Sequence, residues 1–277
     1  MATSGVIIVK KFWALFFFFW PSLAVVVCWI APSRGWWFPS EAMTPLGEEI
    51  DGLFYLILGL VAIMFVVTQF AIGWALWQSA TNAEDTPARF SHGNHRLELI
   101  WTVVPAFILI FIAFYQMNVW AKFRIQASFP DQAKGKDSAV VEVTPRQFEW
   151  RMRYPAPGKL LQNTAQPGDL YSVNEMHVPV GRPVRFNLRS GDVQHAFFAP
   201  ELRVKQDAVP GLIIPMWFHI PVPGEYELLC AELCGWGHYK MRATIYAEPE
   251  HVYNEYLETL QREQNFDGVV PVVKEDE

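Results

Sequence analysis

The chain has 277 residues, of which 52% are hydrophobic and 15% aromatic, with a formal net charge of −6. That is too apolar for an ordinary soluble domain, and the acidic balance offers no footprint for nucleic acid. Three cysteines without a Cys-x-x-Cys-His run exclude a c-type haem of the chain's own.

In chain order, the apolar excess falls before residue 121. A membrane span needs roughly 20 apolar residues. Segments 53–77 and 99–120 meet this with no charge in their interiors. Segment 12–32 is also long enough, and it follows Lys10 and Lys11. Its apolar core exceeds the roughly 7–15 residues of a secretory signal, and no Ala-x-Ala site follows. It therefore reads as a retained helix, kinked at Pro21, with cleavage or lipidation at Cys28 as alternatives. Val25-Val26-Val27 is a poor setting for lipidation, because a small residue is expected beside the cysteine.

Loop charge sets the orientation. Residues 33–52 hold Arg34 against Glu41, Glu48, Glu49 and Asp51, whereas residues 78–98 carry Arg89 and Arg96. The positive-inside rule puts the N-terminus and the second loop in the cytoplasm and the domain after Trp120 outside. Lys122 and Arg124 weigh mildly against this. Trp36, Trp37 and Phe38 sit where an aromatic belt belongs.

Beyond residue 138 the pattern turns to short strands, at 139–144, 147–154, 173–178, 183–188, 195–199, 213–220, 225–230 and 242–247. Turn signals such as Pro210-Gly211 and Pro223-Gly224 separate them. Such spacing predicts a β-sandwich or barrel. Val252, Tyr256, Leu257 and Leu260 predict a short helix over 250–264, and an acidic tail follows at 267–277. The organisation expected is residues 1–32 as an extra segment, 33–120 as a helical hairpin, 121–266 as a β domain, then the tail. The fold class is a membrane-anchored all-β protein.

The most informative run is Cys230-Ala231-Glu232-Leu233-Cys234-Gly235-Trp236-Gly237-His238-Tyr239-Lys240-Met241. Two thiols, an imidazole and a thioether are soft donors that suit copper, and His195 in Gly191-Asp192-Val193-Gln194-His195 can complete the set. The set exceeds the needs of one metal and suits two coppers bridged by two thiolates. A disulfide and a structural zinc site are the alternatives. Met241 argues against both, because a thioether is a weak zinc ligand and idle beside a disulfide.

Cys-x-Glu-x-Cys-x-x-x-His-x-x-Met resembles the binuclear copper motif, CuA, of cytochrome c oxidase subunit II. So do Ser190 to His195, followed by Pro200, Lys205, Asp207 and Pro210-Gly211. Arg96 to Pro105 is similar to the start of that family's last transmembrane helix. The resemblance covers residues 45–262 and implies two spans with a cupredoxin domain outside. It implies that Cys230 and Cys234 bridge two coppers, that His195 and His238 each cap one, and that Met241 and the Glu232 carbonyl bind along the axes. It further implies a magnesium or manganese ion at the Glu232 carboxylate, shared with the catalytic subunit, and a proton-uptake role for Glu98. Haem belongs to partner subunits, and the expected place is a bacterial inner membrane with the copper domain periplasmic.

The chain departs from the family at Gln147-Phe148-Glu149-Trp150, where the usual run is Gln-Trp-Tyr-Trp. Phe148 stands in place of the tryptophan that receives electrons from cytochrome c, leaving Phe148 and Trp150 as the expected receiving region. Residues 121–247 hold 15 Lys/Arg against 12 Asp/Glu, and the acidic excess lies after them. A basic soluble cytochrome docks on acidic surface, so this pattern favours a cytochrome domain fixed in the same membrane assembly. A copper subunit of a nitric oxide reductase and a membrane-anchored copper carrier are the rival functions.

Overall fold

A computed structural model describes residues 2–36, 41–81, 90, 92–135 and 139–264. Trp37, Phe38, Arg89 and the tail 267–277 lie outside the described residues. Among the described residues, three helices are long and apolar enough to cross a membrane: α1 (Ala2–Ile30), α2 (Pro45–Thr81) and α3 (His95–Arg124). Asn94 caps α3, its side-chain oxygen accepting the N–H groups of Arg96 at 3.1 Å and Leu97 at 3.3 Å. Such a cap satisfies two donors that the helix itself cannot.

Two compact units form, one from Met1–Ser40 with Gly52–Gln116, the other from Glu41–Asp51 with Met117–Glu277. In the first unit, α1 runs antiparallel to α2. Lys10 Nζ donates to Ser79 Oγ at 3.2 Å, and the Phe18 and Phe70 rings lie 5.3 Å apart. Between them Gly73 admits α1 closely. A Cβ there would stand 3.1 Å from the Phe18 ring and 3.2 Å from the Ala14 carbonyl. Small residues allow this kind of approach between apolar helices. Residues 12–30 are thus part of one continuous helix through Pro21, with Cys28 exposed on it.

The second unit is a sandwich of two five-stranded sheets. The strands are β1 (Ala139–Arg146), β2 (Glu149–Tyr154), β3 (Leu170–Val173), β4 (Glu175–Pro179), β5 (Pro183–Leu188), β6 (His195–Ala199), β7 (Val204–Ala208), β8 (Ile214–His219), β9 (Gly224–Cys230) and β10 (Arg242–Glu248). Their order is β3-β2-β1-β5-β8 in one sheet and β4-β10-β9-β6-β7 in the other. Alternation drives the layers. Along β9, Tyr226, Leu228 and Cys230 are buried, and along β10, Ala243, Ile245 and Ala247. Trp150, Phe186 and Phe197 meet at the centre, each fully buried. Each such side chain contributes roughly 1.5–3 kcal/mol by leaving water.

A short helix, α4 (Asp131–Lys134), and α5 (Glu250–Gln264) complete the unit. The face of α5 packs through Tyr253, Tyr256, Leu257 and Leu260. Residues 41–51 are tied to the sandwich by Arg203, whose guanidinium donates to both carboxylate oxygens of Asp51 at 2.7 and 2.9 Å. Trp217 closes the same end, donating to the Lys122 carbonyl at 2.8 Å.

Three details differ from the sequence reading. Segment 204–208 is a strand, β7, although Val-Lys-Gln-Asp-Ala shows little apolar character. It is an edge strand, where polar residues are the rule. Segment 173–178 splits at Asn174, whose φ of 60° breaks the extended run. Segment 147–154 begins as a strand only at Glu149, leaving Phe148 in the turn after β1.

Candidate metal centre

Three interior strands of one sheet bring the donors to one end of that sheet. His195 opens β6, Cys230 closes β9, and Met241 immediately precedes β10. That end is locked by backbone bonds from Ala231 N–H to the Ala196 carbonyl, 3.1 Å, and from Cys230 N–H to the Met241 carbonyl, 3.2 Å. The residues between Cys230 and Met241 form a tight loop. Gly235 adopts φ 136°, and a Cβ at Gly237 would stand 2.5 Å from the Phe148 ring. Both glycines are therefore required for the loop to lie flat on Phe148. Gln147 clamps the same loop, its side-chain amide donating to the Cys234 carbonyl.

The donor atoms fall into two matched halves. The thiols are free and their sulfurs are 3.9 Å apart, well beyond disulfide bonding. Cys230 Sγ has His195 Nδ1 at 3.9 Å and the Glu232 carbonyl at 3.2 Å. Cys234 Sγ has His238 Nδ1 at 3.7 Å and Met241 Sδ at 3.8 Å. Each half supplies one thiol sulfur, one ring nitrogen and one weaker donor, a carbonyl oxygen or a thioether. A tetrahedral zinc would leave the thioether and the carbonyl idle. The set fits a pair of soft metals sharing two thiolates.

His195 is fully buried and its orientation is fixed. Its Nε2 faces Asp192 Oδ1 at 2.8 Å, which leaves Nδ1 toward the thiol. A carboxylate behind a ligating imidazole sets both ring orientation and tautomer. Asp192 also accepts the N–H of Gln147 at 2.8 Å and of Val193 at 2.6 Å. Burial opposes the Asp192 charge, but those donors and His195 hold its carboxyl below the usual range. Burial resists ionisation of Cys230 as well, yet His195 and neighbouring backbone groups bring its pKa down to about 6. Burial and then the Cys230 charge push Cys234 up to about 12.

Of the residues singled out in the sequence, His195, Cys230, Cys234, His238, Met241 and the Glu232 carbonyl converge. Phe148 lies against the loop, partly covered by it. Trp150 is fully buried, edge-on to Phe197 at 5.9 Å, so no docking protein reaches it. Glu98 belongs to the first unit, in the first turn of α3, half exposed and 3.5 Å from His95 Nδ1. Asp192 and Gln147 escaped the sequence reading. A carboxylate three residues before a ligand histidine was the available signal for Asp192. Of the aromatics around the loop, Phe197 is core, whereas Trp236 is 76% exposed.

Known proteins of one family are similar to this chain. The family model for the cytochrome c oxidase subunit II transmembrane domain matches residues 33–119, and that for its periplasmic domain matches residues 148–248. A cytochrome c oxidase subunit 2 of Cereibacter sphaeroides is 30% identical, over 78% of this chain and 77% of its own. One from Synechocystis is 25% identical, over 85% of this chain and 79% of its own. Among solved structures, the periplasmic domain of cytochrome oxidase subunit II from Bradyrhizobium japonicum is 28% identical with a TM-score of 0.41, covering 47% of this chain and 97% of that one. The β-rich unit is a cupredoxin-like extracytoplasmic domain following apolar membrane helices. The chain belongs to the cytochrome c oxidase subunit II family and so serves an oxidoreductase complex.

Proposed function

We propose that this chain is the electron-receiving subunit of a respiratory haem–copper oxidase, holding a binuclear copper centre between Cys230 and Cys234. The observation that carries the reading is the division of donors into two equal halves around a 3.9 Å thiol pair. When bound, the copper pair takes up and releases one electron. His195, His238, the Glu232 carbonyl and Met241 would hold the pair together with the two thiolates. Asp192 holds His195, and the sandwich fixes the loop in both redox states, so little has to move on electron arrival. Burial of His195, Cys230, Cys234 and Met241 favours this over a copper carrier, which needs exchangeable ligands.

In this reading a c-type cytochrome supplies the electrons, and haem in the catalytic subunit takes them on to oxygen with proton pumping. The Glu232 carboxylate holds a magnesium or manganese ion with the catalytic subunit, since hard cations prefer oxygen donors. Glu98 passes protons to a channel of that subunit. The place is a bacterial inner membrane with residues 121–266 periplasmic. The donor is a cytochrome domain held in the same assembly. Fast oxidation of a soluble basic cytochrome c, steeply weakened by salt, would count against that donor.

Electron paramagnetic resonance of the copper-loaded chain tests the centre. A mixed-valence multiline signal that Cys234→Ser abolishes is expected. A single-copper spectrum, or preferential zinc loading, overturns the reading.

A further inference from the structure

The metal loop carries an exposed indole that none of the donor contacts uses. Trp236, Leu233 and Tyr239 are each more than three-quarters exposed. A monomer seldom shows large apolar side chains together beside a functional site. Trp236 stands between Gly235 and Gly237, two residues from Cys234 and two from His238. Its ring meets Phe148 edge-on at 5.2 Å, and Phe148 lies against both glycines. Lys240 Nζ sits 4.6 Å from the centre of the indole ring. Phe148 is partly covered, so Trp236 is the outer ring of this aromatic pair.

We propose that Trp236 is the docking anchor and electron-receiving side chain for a ferrous c-type cytochrome, an inference that rests on the copper-pair reading. One electron leaves the ferrous haem, which becomes ferric, and reduces the copper pair by one. No bond forms and no proton moves. The partner's haem edge is framed by apolar side chains, which Leu233, Trp236 and Tyr239 match, and by a carboxylate facing Lys240. A flat aromatic buried on docking is the usual centre of an interface. With one cation at an apolar rim, the encounter depends only weakly on salt. The short path from the indole to Cys234 and His238 runs along the loop itself, with Phe148 as a second ring beneath it.

The test uses the full chain in detergent, with Trp236→Leu and Trp236→Phe, and with a small acidic and a basic cytochrome c as probes. Docking of each cytochrome to the metal-free chain is measured by calorimetry. Reduction of the copper-loaded chain is followed by stopped flow, with hexaammineruthenium(II) as a small reductant that needs no docking surface. Trp236→Leu is expected to weaken docking of the preferred cytochrome about 30-fold, as for an interface anchor, and to slow its electron transfer at least as much. Trp236→Phe falls between Leu and wild type. The multiline spectrum and the ruthenium rate stay unchanged. Wild-type docking and rates in Trp236→Leu overturn the proposal, as does a wild-type chain that docks neither cytochrome. A wild-type chain without the multiline spectrum overturns the copper reading instead, and the metal-free docking measurement still reports on Trp236.

Discussion

Replacing Asp192 by alanine removes the group that aims His195. The carboxylate takes three short hydrogen bonds, from His195 Nε2 at 2.8 Å, Gln147 N–H at 2.8 Å and Val193 N–H at 2.6 Å. His195 is fully buried, so its Nε2–H has no water to turn to once the acceptor is gone. An orphaned buried donor costs about 1–3 kcal/mol of folding free energy. Loss of a carboxylate behind a ligand histidine lowers metal affinity by roughly 10- to 100-fold, or about 1.4–2.7 kcal/mol. The two effects separate experimentally. Copper affinity is read by competition with a chelator of known strength, and folding stability by denaturant unfolding of the metal-free chain. Asp192→Asn keeps an acceptor oxygen without the charge, so it falls between alanine and wild type in both assays. Copper affinity of Asp192→Ala within threefold of wild type would refute the claim that this carboxylate sets the ligand's orientation.

The tyrosine cluster under α5 makes the domain alkali-sensitive. Burial, with Tyr256 and Tyr253 adding, raises the Tyr154 pKa well above its ordinary value, and burial raises that of Tyr253. Both stay protonated when folded and ionise near pH 10 when unfolded. Their stabilisation is therefore complete below about pH 10 and falls above it by about 1.4 kcal/mol per pH unit for each group. A near-ultraviolet circular dichroism melting temperature that holds steady from pH 9 to 11.5 would contradict this. Phe197→Ala empties the space between Trp150, at 5.9 Å, and Phe186, at 4.9 Å, and is expected to cost about 3–5 kcal/mol. Denaturant unfolding of the metal-free chain checks it, and a loss under 1 kcal/mol would mean the sandwich closes over the gap. Glu98→Gln lies in the first unit, and Glu98 is not one of the donor residues. It is expected to leave the multiline signal intact and to slow turnover of the assembled oxidase. Unchanged turnover would remove Glu98 from the proton path.

What the sequence made legible follows from how each feature is encoded. Five donor groups come from one loop of twelve residues, Cys230 to Met241, so their convergence is nearly a statement about chain connectivity. His195 was readable as the donor that completes the loop's set, and the pairing of β6 with β9 is what brings it to Cys230. The strands along which burial alternates, β9 and β10, were plain for the same reason that they form the core. β7 was not, because an edge strand buries little and its Lys205 and Asp207 look like loop. Asp192 and Gln147 act through hydrogen bonds, which leave no periodic mark on the sequence. Trp236 is the sharpest case. A tryptophan beside a buried metal site reads as core, yet the glycines on either side of it hold the loop close against the layer beneath. The ring in that layer is Phe148, and the ring left outside is Trp236. Phe148 beneath the loop and Trp236 above it thus divide packing from contact with the donor.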